Sequence, residues 1–199
     1  MFCLMGFKTS SLPTCGVTLI LCSIDSISST VRISSVKSFF NVACVGFGAE
    51  VNIYAHKVKK LIPSGLAYKI AIALALFGHK RKRYKIIVDN VEYEDDYFLI
   101  AIGIGSKFGG KLNLLPSADM QDGLLDICAI KYKSKFDIIK KIKTIVNATH
   151  VNEDITSYFK AKKIKIISDN IEINFDGEDM SCDDEVEFIV NDKKVELIM

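Results

Sequence analysis

Two short stretches hold residues whose types and spacing suit chemistry. One is Gly109-Gly110 followed by Pro116 and the turn Asp122-Gly123; the other is the tripeptide Asp176-Gly177-Glu178. Paired glycines open backbone conformations closed to other residues and let a ligand approach the main chain closely. Pro116 fixes its own φ and pushes Leu115 toward extended geometry, so no helix runs through this loop. Asp122-Gly123 is turn chemistry, and the apolar residues of 124–130 suit a strand leaving that turn for the core. On local physics alone the first stretch is a loop and tight turn between buried strands, with Asp122 hydrogen-bonding its own backbone. Glu178 alone is an exposed acid after a polar turn.

Length and composition set the frame in which these stretches sit. A chain of 199 residues can bury one good core, or one medium domain with an appendage. Hydrophobic content of 49% with 25% charged residues belongs to a globular protein and excludes a disordered one. The 26 basic residues nearly balance the 24 acidic ones, but unevenly along the chain: 80–85 and 131–143 are basic, and 172–187 is acidic. A basic face of this kind suits phosphates or anionic lipid, and solvated surface charge is the commoner origin. None of the six cysteines forms a CxxC pair or a Cys/His cluster, so neither a zinc site nor a disulfide framework is expected. A reducing cytoplasm is the expected compartment. The apolar window 65–78 is interrupted by Lys69 and is shorter than the about 20 residues a spanning helix needs. His56, His79 and His150 stand alone and are read as ordinary surface or satisfied core residues.

The elements that must position the two stretches follow from periodicity. Residues 1–29 show clusters of Ser and Thr and no sustained period, so no element is assigned there. Strands are expected at 31–36 and 39–45, with a turn at Lys37-Ser38. Helices follow at 49–61 and 66–77, separated by Pro63-Ser64-Gly65. In the second, Leu66, Ile70, Leu74 and Phe77 share one face, expected to be core, with a membrane-facing role open. Asp89-Asn90 marks a hairpin between 84–88 and 91–93, and 98–104 reads as a central strand. Ser134 and Asp137 have capping-box spacing before a helix over 134–147. Further strands are expected at 163–167 and 171–175, and a closing hairpin at 185–190 and 193–198 around Asn191-Asp192. The fold class is α+β, a mostly antiparallel sheet with two or three inserted helices.

The order of motifs carries a resemblance. Phe40-Asn41-Val42-Ala43, Gly46-Phe47-Gly48-Ala49, Gly109-Gly110, Pro116-Ser117-Ala118, Asp122-Gly123-Leu124-Leu125-Asp126 and Asp176-Gly177-Glu178 occur in sequence. Together they resemble the C-terminal domain of the bacterial diacylglycerol kinase and related lipid kinase family, of the NAD kinase-like superfamily. The resemblance covers most of the chain. It implies a β-sandwich-like domain over 30–199, with 1–29 as a remnant or appendage. It also implies a two-domain enzyme whose smaller domain binds ATP and whose active site lies in the cleft between the domains. By position Glu178 would be the general base that takes the proton of the lipid hydroxyl, with Asp176 and Gly177 supporting it. Asp122 would give a carboxylate oxygen, and Asp119 and Leu124 their carbonyls, to a structural Mg²⁺. Gly109 and Gly110 would form a loop facing the cleft. The implied partners are a lipid such as diacylglycerol, the inner membrane face and a separate nucleotide-binding polypeptide, and no nucleic acid.

The departures are as specific. The family's ATP-binding Gly-Gly-Asp-Gly-Thr is absent, Arg32 replaces a usual aspartate, and Lys111 stands at the third glycine of the cleft loop. Three accounts fit: a fragment of a kinase reading frame, which is preferred; one half of a split enzyme; and a lipid or membrane-surface binding module without catalysis. Alone, the chain is expected to phosphorylate nothing, because the groups that cradle ATP are missing.

Overall fold

Alternation of buried and exposed positions decides which strand faces what. The computed structural model describes residues 14–24, 33–60, 62, 64–109 and 112–196. In chain order the elements are β1 (Thr14–Ile24), β2 (Ile33–Phe39), β3 (Val42–Gly46), α1 (Phe47–Val58), α2 (Ser64–Gly78), β4 (Arg83–Val88) and β5 (Val91–Gly103). Then come β6 (Lys107–Phe108), β7 (Leu112–Asn113), β8 (Leu125–Lys131), α3 (Lys135–Val146) and a short 3-10 turn at His150–Asn152. The last five strands are β9 (Thr156–Ala161), β10 (Lys163–Ile167), β11 (Ile171–Phe175), β12 (Glu178–Cys182) and β13 (Glu185–Glu196).

Eleven of the strands join in one folded antiparallel sheet in the order β12-β11-β3-β5-β4-β10-β13-β1-β2, with β8 on β5 and β9 on β8. β5 makes the fold. Its first half pairs with β4, its second half with β3 and β8, and the register shifts between Tyr97 and Leu99. Such an irregularity bends a strand and increases its twist, which lets one strand serve both halves of a sandwich. Odd and even positions then face different cores. Ala43, Val45, Ile100, Ile102, Ile127 and Ala129 turn into the space between the halves, where they meet Ile86, Ile166 and Phe188. Val42, Cys44, Leu99, Ala101, Cys128 and Ile130 face the other way, into a second core with Leu114, Leu115 and Ile138.

Several expectations change on contact with this architecture. The turn after β2 falls at Phe40-Asn41 rather than at Lys37-Ser38. Asn191-Asp192 is not a hairpin: β13 runs straight through it. Opposite Gly16 and Val17 of β1, the partners skip from Lys194 to Asn191, so the two extra residues are taken up as a bulge. The expected appendage over 1–29 is in part strand, because β1 lies between β13 and β2. Residues 1–13 and 25–29 lie outside the described residues. β10 and β11 do not pair with each other, since the chain crosses from one half of the sandwich to the other at Ser168 to Asn170.

Helix α2 reverses the expected burial. Ala67, Ala71 and Ala75 are fully buried, whereas Leu66, Leu74 and Phe77 are exposed, Phe77 at 81%. Alanines four residues apart give a narrow flat face on which α1 can approach closely, through Val51, Ala55 and Val58. Ser134 caps α3 as expected, the Asp137 N–H donating to Ser134 Oγ at 3.2 Å, and the Asp137 carboxylate accepts the Ser134 hydroxyl at 2.6 Å in place of the backbone N–H of a full capping box. Among the described residues no helix is long and apolar enough to cross a membrane.

Candidate functional site

A cleft of about 480 Å³ opens where the β11–β12 turn, the β2–β3 turn, α1, α2 and the end of β6 meet, walled by Asn41, Asn52, Tyr68, Gly109, Asn174 and Asp176. Each wall is held by its own hydrogen bonds. Asp176 and Gly177 both take positive φ, 46° and 91°, as the two central residues of a tight hairpin between β11 and β12. The Asp176 carboxylate accepts the Phe40 N–H at 2.7 Å, which ties this turn to the one between β2 and β3. Asn174 is buried, and its side-chain amide donates to the Glu178 carbonyl at 3.0 Å and to Asp179 Oδ1 at 2.9 Å. Asn52 of α1 donates to the same Asp179 oxygen at 3.0 Å. Glu178 therefore begins a strand whose backbone is fixed; its side chain is exposed, and it directly follows Gly177 of the cleft wall without itself lining the cleft.

The opposite wall is built around Asn41. Its carbonyl accepts the N–H groups of Ile104 and Gly105, and its amide donates to the Lys107 carbonyl at 2.9 Å. A Cβ on Gly103 would come within 2.2 Å of the Asn41 carbonyl oxygen, and one on Gly105 within 2.1 Å of Oδ1. Both glycines are thus required by close approach. Gly109, at φ 59°, lies in the cleft wall with Tyr68 beside it. Burial pushes the Tyr68 hydroxyl above its ordinary range, which leaves a neutral phenol facing the cleft.

Of the residues singled out in the sequence, Gly109, Asp176 and Gly177 come together in one cleft, and Glu178 is the exposed residue that follows Gly177, outside the lining. Gly110 lies outside the described residues. Asp119, Asp122 and Leu124 sit apart, in the connection before β8, and do not line this cleft. Asn52, Tyr68 and Asn174 carried no sequence signal, being single polar residues inside otherwise apolar patterns. Asn41 did carry one, as part of the Phe40-to-Ala43 run.

The expected Mg²⁺ donors do not fit a metal as they are arranged. Asp122 Oδ1 accepts the Leu124 N–H at 2.9 Å, and Oδ2 binds the Lys160 ammonium at 2.7 Å. Asp119 Oδ1 accepts the Gln121 N–H, and its carbonyl faces the Asp122 N–H at 3.4 Å. Lys160 also donates to the Ser117 carbonyl at 3.1 Å and lies 3.2 Å from Asp126. Asp126 is completely buried; Tyr158 donates to one of its oxygens at 2.7 Å, and the other accepts no hydrogen bond and faces the ammonium as a charge contact alone. The cation in this oxygen nest is the lysine. Its bond to Asp122 raises the Lys160 pKa, so it is charged. Among the described residues no cluster of three His, Cys, Asp or Glu side chains is placed to hold a metal.

Buried His79, Cys44 and Cys128 play structural parts. His79 is buried against Phe47, Phe98 and Tyr132 and shares its Nδ1 with the Glu50 carboxylate at 2.9 Å. Burial pushes the Cys128 thiol up to about 12 and Cys44 higher still, so neither is a thiolate nucleophile. Cys182 is disulfide-bonded, which the cysteine spacing did not announce.

Comparison with known proteins matches this geometry to one group. Residues 41–191 match the family described as the YegS C-terminal NAD kinase beta sandwich-like domain. A diacylglycerol kinase of Mycobacterium tuberculosis is 31% identical over 148 residues, which are 73% of this chain and 47% of the relative. A Chromohalobacter salexigens protein named "Probable lipid kinase YegS-like" is 26% identical over 70% of this chain and 45% of its own length. The crystal structure of a diacylglycerol kinase from Bacillus anthracis superposes with a TM-score of 0.53 at 17% identity, covering 90% of this chain and 52% of that one, and shows the shared fold. The chain spans about half the length of the curated relatives it matches. It belongs to the family of C-terminal β-sandwich-like domains of the bacterial diacylglycerol and lipid kinases.

Proposed function

We propose that the chain is the acceptor-lipid half of an ATP-dependent lipid kinase, acting on diacylglycerol or a related lipid alcohol at the inner face of the membrane. The observation that supports this reading is the junction of two unlike cavities. The polar cleft at Asp176 shares Gly48, Val51, Tyr68 and Phe108 with an apolar pocket of about 100 Å³ that continues between Phe47, Ile72, Leu112 and Ile145. A lipid alcohol has that same division, a polar head on an apolar chain, and such a pair of subsites would hold the hydroxyl beside the turn that Glu178 follows. There Glu178 would accept the hydroxyl proton as the lipid oxygen attacks the γ-phosphorus of ATP and ADP leaves. The Asp176-to-Phe40 and Asn174-to-Asp179 bonds would keep the base in place during that step. ATP with its Mg²⁺ would come from a nucleotide-binding domain, since nothing in this chain carries the phosphate-cradling motif.

The test is reconstitution. The chain is mixed with ATP, Mg²⁺ and diacylglycerol in detergent micelles, with or without the separately produced N-terminal domain of the M. tuberculosis relative. Phosphatidate formed only with both halves supports the reading. No phosphatidate with a folded, mixed pair of domains removes it and leaves a second reading, a non-catalytic lipid-binding module, which the exposed apolar face of α2 favours.

A further inference from the structure

Five of the eight large apolar side chains exposed among the described residues lie on two helices. Phe77, Leu66 and Leu74 of α2 are 81%, 56% and 44% exposed, and Phe136 and Ile139 of α3 are 79% and 50% exposed. The two groups are neighbours, because Lys135 at the start of α3 donates its ammonium to the carbonyl of Phe77 at 2.7 Å. Lone exposed apolar residues are ordinary surface; five on two linked helices form a patch, and patches of this kind mark interfaces.

The charge around the patch says what it meets. Lys69 is exposed on α2 one turn from Leu66, Lys80 follows the helix two residues after Gly78, and Lys140 is exposed one turn from Phe136. α2 carries no acidic residue, and the acid of α3, Asp137, is committed to the Ser134 cap. Bulky aromatic and aliphatic side chains bordered by lysines, on two helices that present no uncommitted carboxylate of their own, match the boundary between acyl chains and anionic headgroups, although Lys80 shares a neighbouring groove with Glu50 and Glu172. The apolar pocket described above lies among the same helices, with Tyr68 and Ile72 of α2 and Ile145 of α3 in its wall.

We infer that α2 and α3 form a membrane-docking face that seats Phe77, Phe136 and Leu74 in the interfacial region of an anionic bilayer, with Lys69, Lys80 and Lys140 on the phosphate headgroups. This deepens the proposed function, on which it rests for the lipid as substrate, by fixing which side of the domain faces the bilayer. Docked so, the pocket wall lies next to the acyl chains, and a lipid can reach the cleft without crossing water.

The test is co-sedimentation of the full chain with vesicles of phosphatidylcholine containing graded phosphatidylglycerol. Binding should rise with the anionic fraction and fall with salt. Phe77→Ser with Phe136→Ser should lower the partition coefficient about tenfold or more, and each of Lys69→Gln and Lys140→Gln roughly fivefold. Because these side chains are exposed, circular dichroism of the variants should be unchanged. Binding that ignores the double serine variant overturns the inference. So does protection of Phe77 and Phe136 by the added nucleotide-binding domain instead of by vesicles, which would make the patch a protein interface. Activity in detergent micelles is read in parallel. If reconstituted turnover persists while vesicle binding is absent, the docking face fails and the kinase reading stands; the converse result removes the kinase reading alone.

Discussion

Lys160 shows what one side chain can decide. Its ammonium is held by Asp122, the Ser117 carbonyl and the wholly buried Asp126. Lys160→Met leaves the buried Asp126 carboxyl with the Tyr158 hydroxyl but without its cation, removes the bond to Asp122, and should destabilise the fold by about 1–2 kcal/mol, discounted for the exposure of the lysine stem. Denaturant titration measures this. The same titration should show no response of the wild-type chain to Mg²⁺ or EDTA; a Mg²⁺-dependent gain in the wild type would mean that a metal displaces the lysine. His150 gives a pH signature. Burial lowers its pKa from the ordinary 6.5, with Nε2 set against the Leu114 carbonyl. Protons then bind the unfolded chain more readily, so stability contributed by neutral His150 is present above pH 6.5 and is lost as pH falls from there through the folded pKa. His150→Gln should flatten that segment of a plot of stability against pH, and an unchanged slope would assign it to another group.

At the scale of elements, legibility followed local chemistry. Asp89-Asn90 and Asp176-Gly177 were visible as turns because both central residues must take positive φ, which selects Asp, Asn and Gly. The α3 cap was visible because Ser134 and Asp137 bond within one turn. β1 and β12 were not: the sequence of β1 mixes Thr, Gly and Ser with apolar residues and shows no sustained alternation, and β12 is mostly exposed and polar. The exposed face of α2 was misread because a stripe of large apolar residues and a stripe of alanines have the same period. Only tertiary packing tells which one α1 covers. Two glycines separate these causes. Gly46 has φ 79°, and a Cβ there would meet the Phe98 carbonyl oxygen at 2.9 Å, whereas Gly177 has φ 91° and open space. Gly46→Ala should cost about 2–3 kcal/mol and Gly177→Asn about 1 kcal/mol or less, by thermal or denaturant unfolding. Equal costs would mean that strain in φ, and not the contact with β5, governs both.

Across the whole molecule, one folded sheet and the helices on it place a polar cleft and an apolar pocket side by side. The cleft residues come from the turn after β2, from α1 and α2, from the end of β6 and from the hairpin β11–β12, elements spread across most of the chain. That convergence explains why the motifs were legible in order but the site was not: Asn52, Tyr68 and Asn174 reach the cleft only once the sandwich closes. It also explains why Gly109 and Asp176-Gly177 line one cleft while Asp119, Asp122 and Leu124, closer in sequence to Gly109, lie elsewhere. The most direct measurement is the reconstituted phosphatidate-forming rate of Glu178→Gln beside the unaltered chain, each mixed with the relative's nucleotide-binding domain. As the general base, Glu178 predicts a fall in turnover of about 10²-fold or more, with lipid binding unchanged. Turnover within a few-fold of the unaltered chain would contradict a catalytic role for Glu178 and move the chemistry to another residue.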